Sequence, residues 1–561
     1  MPLPRLLPCL ASIAALAATA RAQEAAATEV FPLYHLAGAV TPPAVPPWGS
    51  LLRFPTADTR VDLLDAEQNS SFSAETVRGL LHELHSEAMD AGTLQLLANG
   101  PALLASGPAA EVARIAERLR TGAALVARPL RIEVAEWDGA DREAPAAVLG
   151  AVEFQRFTGN REPMWRSVAT TRHGVAVALE RMRWARYVRD IDVEVAQKQT
   201  MTHPVTDAFG EGGHALVRPF ALVGADEFAL HVQFAVSRRR GVVRTLPTGM
   251  VDAAELELPA LESDWGCCSG RVPNGGALAL TLKSQVACGG SRILTVRVVA
   301  PTPPANPIQG GLAILPCGAL TSTGLARSLP APDLRGNNVD EPESHPGCGH
   351  VPPEALLELM RQALGELAEA TPVQCGAGYL LARGEPAALA RCEAALRALQ
   401  NRLVRTVTVA QTATLKPVES DAAAPPLHEL VLPTLFGRQL LASHCFETNV
   451  VAEVNCAIAQ EAGVLDPEVA TLQSGAFLRA RVAPADDGMH LQLVVDHRHA
   501  LPPAARAVMP GGVLMATEVS LTVVNHHGLV GNGTATDHGD GPPVSVEGRG
   551  YRSVLATTVR W

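Results

Sequence analysis

Leu103-Leu104-Ala105-Ser106-Gly107 and Leu380-Leu381-Ala382-Arg383-Gly384 are one phrase written twice, 277 residues apart. Each closes a strand-like run and leads into a helical pattern at the same spacing. The first carries Val112, Ile115, Ala116, Leu119 and Arg120; the second carries Leu389, Cys392, Glu393, Leu396 and Arg397. Apolar residues spaced this way put one stripe of a helix against a core. A β-branched stretch follows each helix, Leu130-Arg131-Ile132-Glu133-Val134 and Val407-Thr408-Val409-Ala410.

The matches extend outward. Ser73-Ala74-Glu75 opens a helix with Val77, Leu80, Leu81 and Leu84 on one face. Pro352-Pro353-Glu354 opens its counterpart, with Leu356, Leu359, Met360 and Ala363, and proline suits a first helical turn. Val195-Ala196-Gln197 before His203-Pro204 parallels Ile458-Ala459-Gln460 before Asp466-Pro467. Asp226–Val232 parallels Asp487–Leu493, and Val30–Tyr34 parallels Leu312–Pro316. Several matches in one order point to a tandem duplication. Between the copies, Pro301–Pro307 suits neither helix nor central strand and reads as a semi-rigid linker.

Within each copy the order is β-α-β-β-α-β, with a hairpin signal at Asn99-Gly100. An alternating, strand-like half follows, as in Phe228, Leu230, Val232 and Phe234. The expected fold class is therefore α+β: two tandem copies of a small β-α-β-β-α-β module, each followed by a β-rich, sandwich-like domain. The expected boundaries are 1–22 signal peptide, 23–138 first αβ module, 139–300 first β-rich domain, 301–310 linker, 311–415 second αβ module and 416–561 second β-rich domain.

The 561 residues are 47% hydrophobic and carry a net charge of -11, with three lysines and no basic run. An acidic surface releases no counterions from a nucleic-acid backbone, so that partner class is excluded. Arg5, the apolar run Leu6–Ala20 and the small-x-small site Ala20-Arg21-Ala22 read as an export signal. No later apolar run is long enough for a spanning helix, while β-strand spans leave a weaker trace. Ten cysteines occur, Cys9 in the signal, so nine remain and at least one is left without an intrachain partner.

The strand, helix, hairpin and second helix with Val112-Ala113-x-Ile115-x-x-x-Leu119 resemble the ring-building modules of bacterial secretins, the outer-membrane channels of secretion systems and type IV pili. Asp190–Gln197, Gly213–Pro219 and Val272-Pro273-Asn274-Gly275-Gly276-Ala277-Leu278 resemble strands that open and close a secretin core domain. The chain departs from that family in its tandem duplication and in lacking a Val-Pro-x-x-Gly-x-Ile-Pro gate segment. The resemblance implies an exported, non-enzymatic envelope protein of the periplasm or outer membrane. Such a protein acts by self-association or by docking to a secretion partner, with no cofactor.

Candidate chemistry is sparse. His526, His527, Asp537, His538 and Asp540, in a glycine-rich stretch read as a hairpin loop, are metal-ligand types without a known spacing. They carry the rival reading of an exported metal-dependent hydrolase with its site in the second copy. A monomeric surface binding protein is the third reading. His82-Glu83-Leu84-His85 lacks zinc-protease spacing and reads as exposed helix surface. Asp496-His497-Arg498-His499 reads as a polar strand, and His345–His350 as a loop. Gly210–Ala215 precedes a strand rather than the helix a phosphate needs. Asn69-Ser70-Ser71 and Asn532-Gly533-Thr534 mark polar loops, and Trp265, Phe228 and Trp561 read as packing residues.

Overall fold

The computed structural model describes residues 26–32, 74–99, 102–139, 145–196, 199–224, 226–241, 243–246, 255–284, 291–302, 308–309, 311–322, 351–376, 378–417, 426–459, 462–485, 491–500, 505–508, 514–516, 521–533, 535–546 and 549–561. The expected signal peptide and the loop His345–His350 lie outside them, as does Asn69-Ser70-Ser71. The first half comprises β1 (Ala26–Pro32), α1 (Ala74–Leu84), α2 (Ser86–Asp90), β2 (Gln95–Asn99), β3 (Ala102–Pro108), α3 (Ala109–Val126), β4 (Leu130–Asp138), β5 (Val148–Leu149), α4 (Ala151–Thr158) and β6 (Trp165–Thr171). It continues through β7 (Val177–Ala196), β8 (Gln199–Ala221), β9 (Glu227–Arg239), β10 (Arg244–Leu246), β11 (Leu256–Leu258), β12 (Ala260–Pro273), β13 (Ala277–Ser284) and β14 (Arg292–Val299).

The second half comprises β15 (Ile308–Gln309), β16 (Leu312–Pro316), α5 (Gly318–Thr321), α6 (Pro353–Leu364), β17 (Val373–Gly376), β18 (Tyr379–Arg383), α7 (Pro386–Leu403), β19 (Thr406–Pro417) and β20 (Pro426–Leu435). It ends with β21 (Gln439–Ala459), β22 (Ala462–Pro484), β23 (Leu491–Ala500), β24 (Ala505–Val508), β25 (Leu514–Ala516), β26 (Leu521–Val530), β27 (Ala535–Val546) and β28 (Arg549–Arg560).

The expectation of an α+β module repeat is overturned: the described chain is mainly β, and two large antiparallel sheets dominate it. One has the order β26-β23-β22-β21-β12-β9-β8-β7. The other runs β27-β28-β19-β20-β13-β14-β4-β6, with β5 pairing β13. Each sheet passes without a break from one half of the chain into the other. β4 and β19, expected to complete the small modules, lie in the second large sheet. The reason is visible in β4, where Ile132, Glu133, Val134, Ala135, Glu136 and Trp137 are all buried. A strand covered on both faces belongs inside a two-layer stack, not on a small half-exposed sheet.

One core joins the two sheets. Ile132, Val134, Leu280 and Val296 of one sheet meet Val217, Phe228, Leu230 and Val232 of the other. The turn at Pro273-Asn274-Gly275-Gly276 carries the chain between the layers. Gly275 sits at φ +77, and a Cβ on Gly276 would lie 2.6 Å from the Leu149 carbonyl oxygen. Asn274 braces the turn by donating to Asp226 Oδ2 at 2.8 Å and to the Ala300 carbonyl at 2.9 Å.

The two small sheets that carry the helices are β1-β3-β2 and β15-β16-β18-β17, and β10-β11 and β24-β25 are two-stranded ribbons. Val112 and Ile115 of α3 pack on Leu103 and Ala105 of β3. Leu389, Cys392 and Leu396 of α7 pack with Leu356 and Met360 of α6. Gln400 ties α7 into its surroundings: its Nε2 donates to the Pro316 carbonyl and its Oε1 accepts from the Val223 N–H.

Candidate assembly surface

The two halves of the chain meet through strand pairing. β12 pairs antiparallel with β21 from Ala260↔Thr448 to Cys267↔Leu441. β13 pairs with β20 from Thr281↔Val431 to Ser284↔His428. On either side of this junction the strand layout recurs: β12-β9-β8-β7 is laid out as β26-β23-β22-β21. Likewise β13-β14-β4-β6 has the layout of β27-β28-β19-β20.

A buried ionic cluster lies at this junction. Asp264 of β12 receives a short hydrogen bond from His444 Nδ1 of β21. Arg292 of β14 approaches Asp264 Oδ2 at 3.0 Å, Glu262 Oε2 at 3.5 Å and Glu136 Oε1 at 3.8 Å. These are charge contacts rather than well-aligned hydrogen bonds. Arg238 donates to Glu136 Oε1 at 2.5 Å. Burial pushes the Asp264 carboxyl up, but the His444 and Arg292 charges and the His444 hydrogen bond outweigh it and hold the carboxyl below its ordinary range. Ser263 beside it donates to Glu447 Oε1 across the same pairing at 2.9 Å. Charges this deep cost stability unless each meets its partner, so separating or shifting these strands would leave buried charges unpaired. Sequence reading missed it. The signal was Glu262, Ser263 and Asp264 between apolar Leu261 and Trp265, polar residues where strand alternation puts the core.

Each large sheet also ends in strands with one free edge. Among the described residues β7 pairs only with β8 and β6 only with β4, while at the other end β26 pairs only with β23 and β27 only with β28. Part of β7 is covered within the chain, where the Val188 N–H donates to Glu257 Oε2 at 2.7 Å and Tyr187 Oη accepts from Asn449 Nδ2 of β21 at 3.3 Å. Val168 of β6 and Leu529 of β26 are large apolar residues left exposed there, to 43% and 63%.

The sequence-predicted metal residues do not share one loop. His526 and His527 lie in β26, opposite Val495 and Val494 of β23. Asp537, His538 and Asp540 lie in β27, which belongs to the other large sheet. Among the described residues no group of three His, Cys, Asp or Glu side chains is placed to hold a metal ion. His82 is exposed, but His85 is buried: its Nδ1 meets Glu111 Oε2 at 2.9 Å and its Nε2 meets Arg118 at 3.0 Å. Asp496–His499 lie on β23 and Gly210–Ala215 on β8. Trp265 and Phe228 are buried, and Trp561 packs against the main core. No described helix is long and apolar enough to cross a membrane.

No family model and no curated protein matches the chain. Among solved structures it is similar to secretins. The secretin-domain β-barrel of InvG from Salmonella shares 13% identity at a TM-score of 0.24, covering 51% of this chain and 91% of that one. ExeD of Aeromonas hydrophila shares 9% identity at a TM-score of 0.18, covering 96% and 90%. PulD, in the Klebsiella pneumoniae type II secretion outer-membrane complex with PulS and PulC, shares 10% at 0.19, covering 97% and 76%. Scores of this size establish no common overall arrangement, and the functional reading rests on this chain's own edges and sequence.

Proposed function

We propose that the chain is an exported, non-enzymatic, secretin-like scaffold of the bacterial envelope that works by self-association. The observation that supports it is the open ends of both large sheets in a chain whose own halves are already joined edge to edge. An exposed strand edge presents unpaired N–H and C=O groups to any matching strand. Closing heterologous contacts of that kind makes a ring. Export follows from residues 1–22 read as a signal peptide, and it places the mature chain in the periplasm or outer membrane. The tandem units would be residues 23–300 and 311–561, each an αβ module followed by a β-rich region, linked through 301–310. A secretion protein is the second class of partner for the same surfaces, and neither role needs a cofactor or a catalytic group.

The test is the mass of residues 23–561 in solution, by light scattering after size exclusion, with and without reductant. A discrete oligomer that survives reductant is expected. A clean monomer would sink self-association.

A further inference from the structure

The strand pairings on the two sides of the internal junction follow one geometry. Gly212 of β8 and Gly475 of β22 are 263 residues apart and both adopt positive φ, +124 and +133. A Cβ at either would lie 2.0 Å from a carbonyl oxygen of the preceding strand, Arg181 in one case and His444 in the other. The same offset superposes the whole of the pairing around them: Gly212 faces Met182 and Ser237, and Gly475 faces Cys445 and Ala500. β12 and β26 superpose at an offset of 258, since Trp265 faces Ala235 while Val523 faces Arg498. β7 therefore stands where β21 stands, and β26 where β12 stands, but among the described residues each lacks the strand that its counterpart has.

We infer that β26 of one chain pairs antiparallel with β7 of a second copy, in the register that β12 and β21 use within the chain. This deepens the self-association reading and rests on it. Translating Trp265↔Ser443 and Gly266↔Ala442 by those offsets places Val523 opposite Glu180 and Val524 opposite Leu179. Leu521 to Asn525 then face Met182 to Ala178. The other layer follows in parallel, with β27 beside β6 as β13 is beside β20.

The side chains at the edges agree with this placement. Ser443 and His444 are fully buried, whereas Glu180 and Arg181 in the corresponding positions are exposed. Val168 is exposed, while Val431, its counterpart under β13, is half-buried. Leu529 occupies the place of Arg271, whose N–H donates to Thr406 Oγ1 at 2.7 Å. The position equivalent to Thr406 is Pro129, exposed in the first half. The hydroxyl that accepts inside the chain thus has no counterpart between chains, where Leu529 and Pro129 put two apolar side chains at these positions. The charged cluster is not repeated: Asp264 and Arg292 fall on Thr522 and Ser553. Val524 replaces Gly266, where a Cβ would lie 2.2 Å from the Leu441 carbonyl oxygen, so the outer pair keeps this register only with its backbones wider apart than those of the inner pair. Every chain contributes two repeat units, and an assembly of n chains has an even number of units around its axis.

The experiment places Glu180→Cys and Val523→Cys in the full mature chain and oxidises it. Within one chain β7 and β26 are the two end strands of an eight-stranded sheet and are not paired among the described residues, so a bond that produces covalent multiples joins two chains. A ladder of covalent multiples on non-reducing gels is expected, absent from wild type and from each single variant, with peptide mapping finding 180 linked to 523. Electron micrographs of the same particle should count twice as many spokes as chains by mass. A wild-type monomer would overturn the self-association reading and this inference with it. An oligomer that gives no 180–523 bond, or an odd spoke count, would overturn only the register.

Discussion

At the scale of single residues, the buried charges decide more than any surface group. Removing His444 strands Asp264 between two sheets, with Arg292 contacting it mainly as a charge. His444→Ala should cost about 3–5 kcal/mol, read as a lower urea midpoint. The double variant Asp264→Asn/His444→Gln should cost less than the sum of its parts, because it removes both charges together. A cost equal to that sum would mean the pair is not coupled. His173 makes a pH prediction. Its Nε2 donates to the Gly378 carbonyl at 3.0 Å and its Nδ1 accepts from the Ala221 N–H at 2.9 Å, joining β8 to the second small sheet. Burial lowers its pKa from 6.5 to about 4. Between those values the unfolded chain holds a proton that the folded one refuses, so this stability is complete above pH 6.5 and is lost as pH falls toward 4. The slope is about 1.4 kcal/mol per pH unit at most. His173→Gln, which cannot titrate, should flatten the wild-type decline in melting temperature across that window. An unchanged decline would place the titration elsewhere.

At the scale of elements, glycine and cysteine placement carry the local tests. Gly475→Ala forces a Cβ against the His444 carbonyl at positive φ and should cost about 1–3 kcal/mol. Gly212→Ala should cost a similar amount in the same measurement, because the two sites share one geometry. Cys317, at the end of β16, and Cys375 of β17 bring their sulfurs to 3.7 Å. The hydrogen bond between them lowers the Cys375 pKa and raises that of Cys317, leaving Cys375 the better nucleophile. With oxidised glutathione as electron acceptor, the two thiols should lose two protons and two electrons and form one disulfide. Peptide mapping should find that link, and recovery of both cysteines alkylated would refute it. The repeated Leu-Leu-Ala phrases and their helices were legible in the sequence because helical periodicity is local and survives in a single chain. The destination of β4 and β19 was not. A run such as Leu130–Val134 states that a strand is apolar, not which sheet receives it, and that choice was made by long-range pairing with β14 and β28. The histidines of the second copy lie apart for the same reason: glycine-rich spacing suggested a hairpin loop, but strand partners in two different sheets took them.

At the scale of the whole molecule, the question is whether the halves are two bodies on a tether or one. Among the described residues they are joined by twelve paired residues on each side, eight between β12 and β21 and four between β13 and β20. The core residues Leu278, Leu280 and Val272 of the first half pack in one cluster with Leu430, Leu432 and Leu440 of the second. Sheets that share hydrogen bonds and a core unfold together, because opening either half exposes the edge and apolar face of the other. A protease site inserted in the proline-rich segment 303–307 should therefore be cut without releasing the halves. The nicked chain should elute from size exclusion where the intact chain does and should melt in a single transition. It should come apart only in denaturant, and two separate transitions in the nicked protein would show two independent bodies.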